Sequence, residues 1–251
     1  MKIHAYHIKP TGLIRAFYQL CAGYKYCRAV HQPLRRFIPL CINPMMAVWN
    51  YYQFTKDMPQ PGTLIDAGAN ASQMARLLQH SCKKDVQILS FEPIPSMQPI
   101  GKRFNIALSD KDGEFDFYIP QGNDDELGSL SKEYIENAEL GCKTITVKAA
   151  RMETLINEGV IPWEQLPRPI LLKMDTEGHE LNILKGFGKY LNDVDRIISE
   201  VGNEADRTKS YDLTEMCNYL TAYGFNDSRI LYSCFDGANP SAYMDVLFRR
   251  I

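Results

Sequence analysis

Short apolar runs that each stop at an acidic residue recur through the middle of this chain. Thr63-Leu64-Ile65 runs into Asp66-Ala67-Gly68, and Val86 to Phe91 ends at Glu92-Pro93. Phe104 to Leu108 ends at Ser109-Asp110, Pro169 to Met174 at Asp175, and Arg196 to Ser199 at Glu200. Between them lie stretches of helical spacing: Ser72 to His80, Glu180 to Leu191 and Leu213 to Tyr223. Apolar strands alternating with helices predict a doubly wound α/β fold, a mainly parallel sheet covered on both faces. Two late strands, Ile230 to Cys234 and Tyr243 to Phe248, flank the turn Asp236-Gly237-Ala238-Asn239-Pro240. They predict an antiparallel C-terminal edge. Ligands in such sheets bind beyond the C-terminal strand ends. The acids Asp66, Glu92, Asp110, Asp175 and Glu200 therefore mark the expected binding edge.

The first 60 residues read as a separate arm, and 61–251 as the α/β domain, with the polar hinge Lys56 to Gly62 at the boundary. Apolar positions at Leu13, Phe17, Leu20, Cys21 and Tyr24, and the helix start Asn43-Pro44, predict helices in the arm. Met1 to Lys56 holds eight Lys/Arg and no Asp or Glu, which leaves 20 basic against 30 acidic residues for the rest. A basic, aromatic-rich arm on an acidic body predicts peripheral membrane contact, self-association, or packing back onto the body. No apolar run reaches the ~18 residues of a membrane span, and no secretory signal is read at the N-terminus, so a cytoplasmic protein is expected. The seven cysteines are scattered without a Cys-x-x-Cys pair, which predicts free thiols.

The turn Asp66-Ala67-Gly68-Ala69-Asn70 carries the first chemical signal. A dinucleotide fold places a glycine turn here to hold a pyrophosphate. A carboxylate just before the glycine would repel that anion. It suits a ligand with an ammonium and a sulfonium, such as S-adenosylmethionine. Gly68 allows backbone to approach such a ligand closely, and Glu92 is placed to accept hydrogen bonds from ribose hydroxyls.

Asp66 to Asn70 (DAGAN), Ser90 to Pro95 (SFEPIP), Asn105 to Asp110 (NIALSD), Gly128-Ser129-Leu130, and Leu172 to Gly186 (LKMDTEGHELNILKG) resemble, in order and spacing, the FkbM family of methyltransferases. The resemblance covers roughly Thr63 to Glu200. It implies a Rossmann-like methyltransferase fold, S-adenosylmethionine as cofactor, and a hydroxyl acceptor, often on a sugar or a glycosylated product. It implies cofactor contacts at Asp66, Gly68, Ala69, Asn70, Ser72, Glu92 and Asp175, with Asn105 and Ala107 near the adenine. The family's turn usually reads DxGANxG, and Ser72 stands at its last glycine. The expectation for Ser72 is a cap on the following helix.

O-methylation needs alignment of acceptor and donor, exclusion of water and removal of a proton. Asp175 is the first candidate at the reacting centre, and His179 is the natural general base by its ordinary pKa. Lys173 and Glu177 complete the catalytic candidates, with an ion pair to Asp175 as the structural alternative for Lys173. Asp175, Glu177 and Glu200 could hold a hard cation, but nothing in their spacing demands one, and the site is read as metal-free. The insertion 113–152 predicts a hairpin and polar loop, with Gln121, Asn123, Asp124 and Asp125, at the mouth of the site. The acceptor is expected to be a sugar or glycan rather than nucleic acid. An RNA or other small-molecule methyltransferase, or a binding module without activity, are the alternatives.

Overall fold

A computed structural model describes residues 2–3, 62–70, 72, 75, 86–97, 99–120, 128–132, 141–202, 211–233 and 243–250. The arm helices, most of the Ser72 to His80 helix, the loop residues 121–127 and the turn 236–240 lie outside them. So do the cysteines other than Cys142 and Cys217, both of which are free thiols.

The main sheet has eight strands: β1 (Lys2–Ile3), β2 (Thr63–Ala67), β3 (Gln87–Phe91), β4 (Lys102–Phe104), β8 (Ile170–Met174), β9 (Arg196–Gly202), β10 (Phe225–Ser233) and β11 (Tyr243–Arg250). Their order is β1-β10-β11-β9-β8-β2-β3-β4. Strands β9, β8, β2, β3 and β4 run parallel, and β11 pairs antiparallel with both β9 and β10. The antiparallel edge is as expected; Lys2–Ile3, in the arm, is extended and pairs parallel with Asp227 and Ser228 on β10.

Successive side chains of a strand face opposite sides, and here both sides are apolar. Ile65, Leu89, Leu172 and Ile197 belong to one buried cluster, while Leu64, Ile88, Leu171 and Ile198 belong to another. The first cluster is completed by three helices, α1 (Met152–Asn157), α2 (Glu180–Phe187) and α3 (Leu213–Thr221), through Leu155, Phe187, Leu220 and their neighbours. Ala75, helical and fully buried, packs in the second. Covering on both faces is what makes a continuous apolar strand tolerable.

A second sheet contains β5 (Ala107–Leu108), β6 (Gly113–Pro120) and β7 (Cys142–Ala150) in the order β5-β7-β6. Its alternation is clean: Phe117, Ile119, Val147 and Ala149 are buried, while Asp116, Thr146 and Lys148 are exposed. The buried face packs on Ile94, just past β3. The inserted hairpin thus walls the C-terminal edge of the main sheet.

Several expectations need correction. The third parallel strand is Lys102–Phe104, not Phe104 to Leu108, and Asn105 follows it exposed. Asp110 accordingly follows the small sheet and does not tip a strand of the main one. Glu200 does not end its strand either; it lies within β9, opposite Asp245 of β11. Helix α2 stops at Phe187 and continues to Asp193 as a 3-10 turn, because Gly188 has φ +54°. Strand β10 begins at Phe225, five residues before the apolar run, since the buried Asp227 is paired with Arg249 and Arg229.

Candidate functional site

Strand order reverses between β8 and β2, where the chain returns to the far side of β2 after β4. In open α/β sheets ligands bind at such a switch point, beyond the carboxyl ends of the strands. Gly68 follows β2 with φ +68°, and a Cβ built on it would lie 1.9 Å from the Asp175 carbonyl oxygen. Only glycine fits that contact. The turn is tied across the sheet by Gly68 and Ala69 N–H, which donate to Phe91 O at 3.1 and 3.2 Å.

Under the turn lies a buried charged group. Asp66 is 1% exposed, and the Lys173 ammonium lies 3.2 Å from it, 3.7 Å from Asp175, and donates to Gly68 O at 2.7 Å. Burial pushes the Asp66 carboxyl up from its ordinary value, against the pull of Lys173. Burial alone would lower Lys173, but Asp66 and Asp175 outweigh it and hold the ammonium above its ordinary value. The ion pair fixes Gly68 from below.

Glu92, at the end of β3, is 5% exposed. Its two oxygens accept from Asn70 N–H at 3.0 Å and Ile94 N–H at 2.9 Å. Each oxygen keeps a lone pair, so the carboxylate is oriented and still able to accept. Burial raises its pKa, against those two hydrogen bonds. Arg103 steadies the segment by donating to Pro95 O at 2.8 Å and Ile94 O at 3.3 Å. Asn70 and Ser72 both have positive φ, +39° and +56°. That explains the family's glycine at the second position. The buried Ser72 hydroxyl accepts from Ile100 N–H at 3.1 Å, tying the turn to the segment before β4. The helix it was expected to cap lies outside the described residues.

The loop after β8 is built around Glu180, which is fully buried. It accepts from Thr176 N–H at 2.8 Å, Gly178 N–H at 3.2 Å and the Tyr211 hydroxyl. Positive φ at Glu177 and Gly178 lets the loop fold over that carboxylate. Ser129 joins this loop to the hairpin: its hydroxyl donates to Glu177 O at 2.7 Å, and its backbone bridges Tyr118. His179 heads α2 without capping it. Its Nε2 lies 3.0 Å from Ser109 Oγ. Burial holds the imidazole below its ordinary value, against Glu180 and Asp110.

These parts enclose one cleft. Gly68, Asn70, Glu92, Ala107, Asp175 and His179, all anticipated, line it. Asp66, Ala69, Ser72 and Lys173 stand behind its wall as supports, and Asn105 lies outside it. Glu177 presents its carboxylate toward Asp175 and Glu200, with one oxygen of each within 4.8 Å of the others. Sequence reasoning missed the apolar side, formed by Phe91, Ile94, Leu108 and Phe117. The inward alternation of the hairpin was the signal for Phe117. It also missed Tyr211, which no local pattern connects to Glu180.

The donor set fits an adenosyl sulfonium. An apolar wall suits a purine, Glu92 has acceptors ready for a ribose diol, and the acids beside the glycine turn favour positive charge. Comparisons agree. A model of the methyltransferase FkbM domain matches residues 66–226. The hexuronic acid methyltransferase AglP of Haloferax volcanii is 25% identical over 149 residues, 58% of this chain and 58% of that protein, so the chain spans little more than half its length. Magnesium protoporphyrin IX methyltransferase of Synechocystis PCC 6803, solved with bound S-adenosylmethionine, aligns at TM-score 0.45 and 10% identity over 98% of this chain and 100% of that one. The N-terminal domain of EvdMO1 with S-adenosylhomocysteine aligns at 0.38 and 12% over 82% and 81%. The match to well over half of its length places this chain in the FkbM methyltransferase family, whose cofactor is S-adenosylmethionine.

Proposed function

We propose that this protein is an O-methyltransferase that uses S-adenosylmethionine to methylate a hydroxyl of a sugar, a glycan or a glycosylated small molecule. The observation that carries this reading is the meeting of Glu92 and His179 in one cleft, with Gly68 and Asp175 between β2 and β8. One half is suited to a nucleoside and the other to proton removal. The cofactor supplies an activated methyl group at a positively charged sulfur. Glu92 would hold the ribose, and Ile94, Ala107 and Phe117 would flank the base. Lys173 and Asp66 keep the glycine turn in place, and Glu180 sets the loop that presents Asp175 and His179.

His179 takes the proton from the acceptor hydroxyl. Its lowered pKa keeps the ring neutral near pH 7, as a base must be. Asp175, exposed at the tip of β8, positions the acceptor through hydrogen bonds to its hydroxyls. The name of the AglP relative supports a sugar acceptor. The reading includes a cytoplasmic location, no nucleic-acid partner and docking through the basic arm. Among the described residues no helix is long and apolar enough to cross a membrane.

The test is transfer of labelled methyl from S-adenosylmethionine to a panel of monosaccharides and glycosides, with product linkage read by NMR. The expected result is label on a sugar oxygen. Label on nitrogen, or on non-sugar acceptors alone, would overturn the reading. Deleting Met1 to Lys56 should change assembly or acceptor turnover; if neither changes, the arm has no docking role.

A further inference from the structure

We infer that Ser109 and Asp110 are positioning residues for His179, holding its imidazole in the tautomer that carries hydrogen on Nε2 and leaves Nδ1 as the proton acceptor. The inference rests on the reading of His179 as the base.

Ser109 Oγ lies 3.0 Å from His179 Nε2 and 3.2 Å from Asp110 Oδ1. A serine hydroxyl has one hydrogen to give, and a carboxylate can only accept. When that hydrogen goes to Asp110, the Ser109 oxygen is left to accept, and Nε2 must be the N–H. Asn182 Nδ2 donates to the same Asp110 oxygen at 3.2 Å, which fixes the carboxylate from α2. Nδ1 has no hydrogen-bond partner among the described residues, and the ring lines the cleft.

Ser109 cannot drift from this position. It is 3% exposed, and its N–H donates to Ala150 O at 3.0 Å. Its carbonyl lies against Gly186, where an added Cβ would be 1.9 Å away. Gly186 thus lets α2 sit directly on Ser109, which sets the distance between hydroxyl and imidazole. The charged groups that act on the ring are Glu180 on α2 and Asp110 after β5. Glu180 is occupied by Tyr211 and the loop N–H groups. Asp110 is therefore the acid that acts on the ring through Ser109. When the hydroxyl proton moves to Nδ1, the ring becomes an imidazolium. Its Nε2–H still points to Ser109, and the charge is stabilised along the chain to Asp110.

The test uses the full chain with 15N-labelled histidine, without donor or acceptor, and reads ring tautomers by long-range 1H–15N correlation. The chain has five histidines, and His179→Asn identifies the signals of interest. The expected pattern is Nε2–H in the wild type and an average of both tautomers in Ser109→Ala. Asp110→Asn, at a partly exposed residue, should lower the His179 titration midpoint, which keeps the test open if Ser109→Ala folds poorly. In turnover, Ser109→Ala should lower kcat on the order of 10-fold with acceptor KM unchanged, less than the ~10²–10⁴-fold expected for loss of the base. A wild-type Nδ1–H tautomer, or Ser109→Ala and Asp110→Asn spectra like the wild type, would overturn the inference and leave the base reading standing. Undiminished turnover in His179→Asn would overturn the base reading, and this role with it.

Discussion

Lys173 and Asp66 are register partners on adjacent parallel strands, and their charged ends meet 3.2 Å apart beneath the glycine turn. The pair sits in the middle of the buried sheet, where an ammonium without a carboxylate would be intolerable. Its effect is local: the ammonium also holds Gly68 O, so the charge pair shapes the turn that faces the cofactor.

Removing one partner of such a pair leaves a buried charge uncompensated. Lys173→Met should therefore destabilise the protein by about 3–5 kcal/mol. The double variant Asp66→Asn, Lys173→Met should recover part of that loss. Urea unfolding of the three proteins measures both values. Equal stability of the single variant and the wild type would show that the pair carries no structural weight.

Gly68→Ala places a methyl group against the Asp175 carbonyl at a residue with φ +68°. The left-handed conformation alone costs roughly 1–2 kcal/mol for a residue with a Cβ. The β2 and β8 ends must also separate. The expected outcome is a lower melting temperature together with loss of S-adenosylhomocysteine binding, read in one thermal-shift titration.

Glu180→Ala removes the acceptor for two backbone N–H groups and the Tyr211 hydroxyl. Each unsatisfied buried donor costs about 1–3 kcal/mol. Tyr211→Phe removes only the hydroxyl, leaves both backbone N–H groups with their acceptor, and should cost much less. Chemical denaturation should rank the variants in that order, and the reverse ranking would contradict the role given to Glu180.

Glu92 gives a pH dependence of defined sign. Its folded pKa lies above the ordinary 4.5, so the folded state keeps a proton that the unfolded chain has already released. The resulting stability cost is absent below 4.5 and grows as pH rises through the folded value. In the protein without ligand, the stability of wild type minus that of Glu92→Gln should fall as pH rises from 4.5. A difference that rises over that range would mean that Glu92 is stabilised in its ionised form.

How much of this was legible in the sequence follows from where the information lies. Strands β2, β3 and β8 are buried on both faces, so their apolar runs are continuous and their ends are marked by Asp66, Glu92 and Asp175. The edge strand β4 reads Lys102-Arg103-Phe104 and carries no such run. The run that follows, Ile106 to Leu108, belongs mainly to the small sheet, and the third strand was misplaced for that reason. Glu200 looked like a strand end because an acid followed apolar residues; the antiparallel partner β11 lets the strand continue past it. Helix α1 was missed although Met152, Leu155 and Ile156 have helical spacing, because it is only six residues long. Contacts between distant segments, such as Tyr211 with Glu180 or Ser109 with His179, leave no local pattern at all.

Calorimetric titration of S-adenosylhomocysteine into the wild type and Glu92→Ala tests whether the cleft beside Glu92 holds S-adenosylmethionine. The expected result is one-site binding to the wild type, affinity at least about 10-fold weaker in the variant, corresponding to ~1.4 kcal/mol, and no binding of NAD to either. Equal affinity in both proteins would put the nucleoside elsewhere and rule out Glu92 as its ribose acceptor.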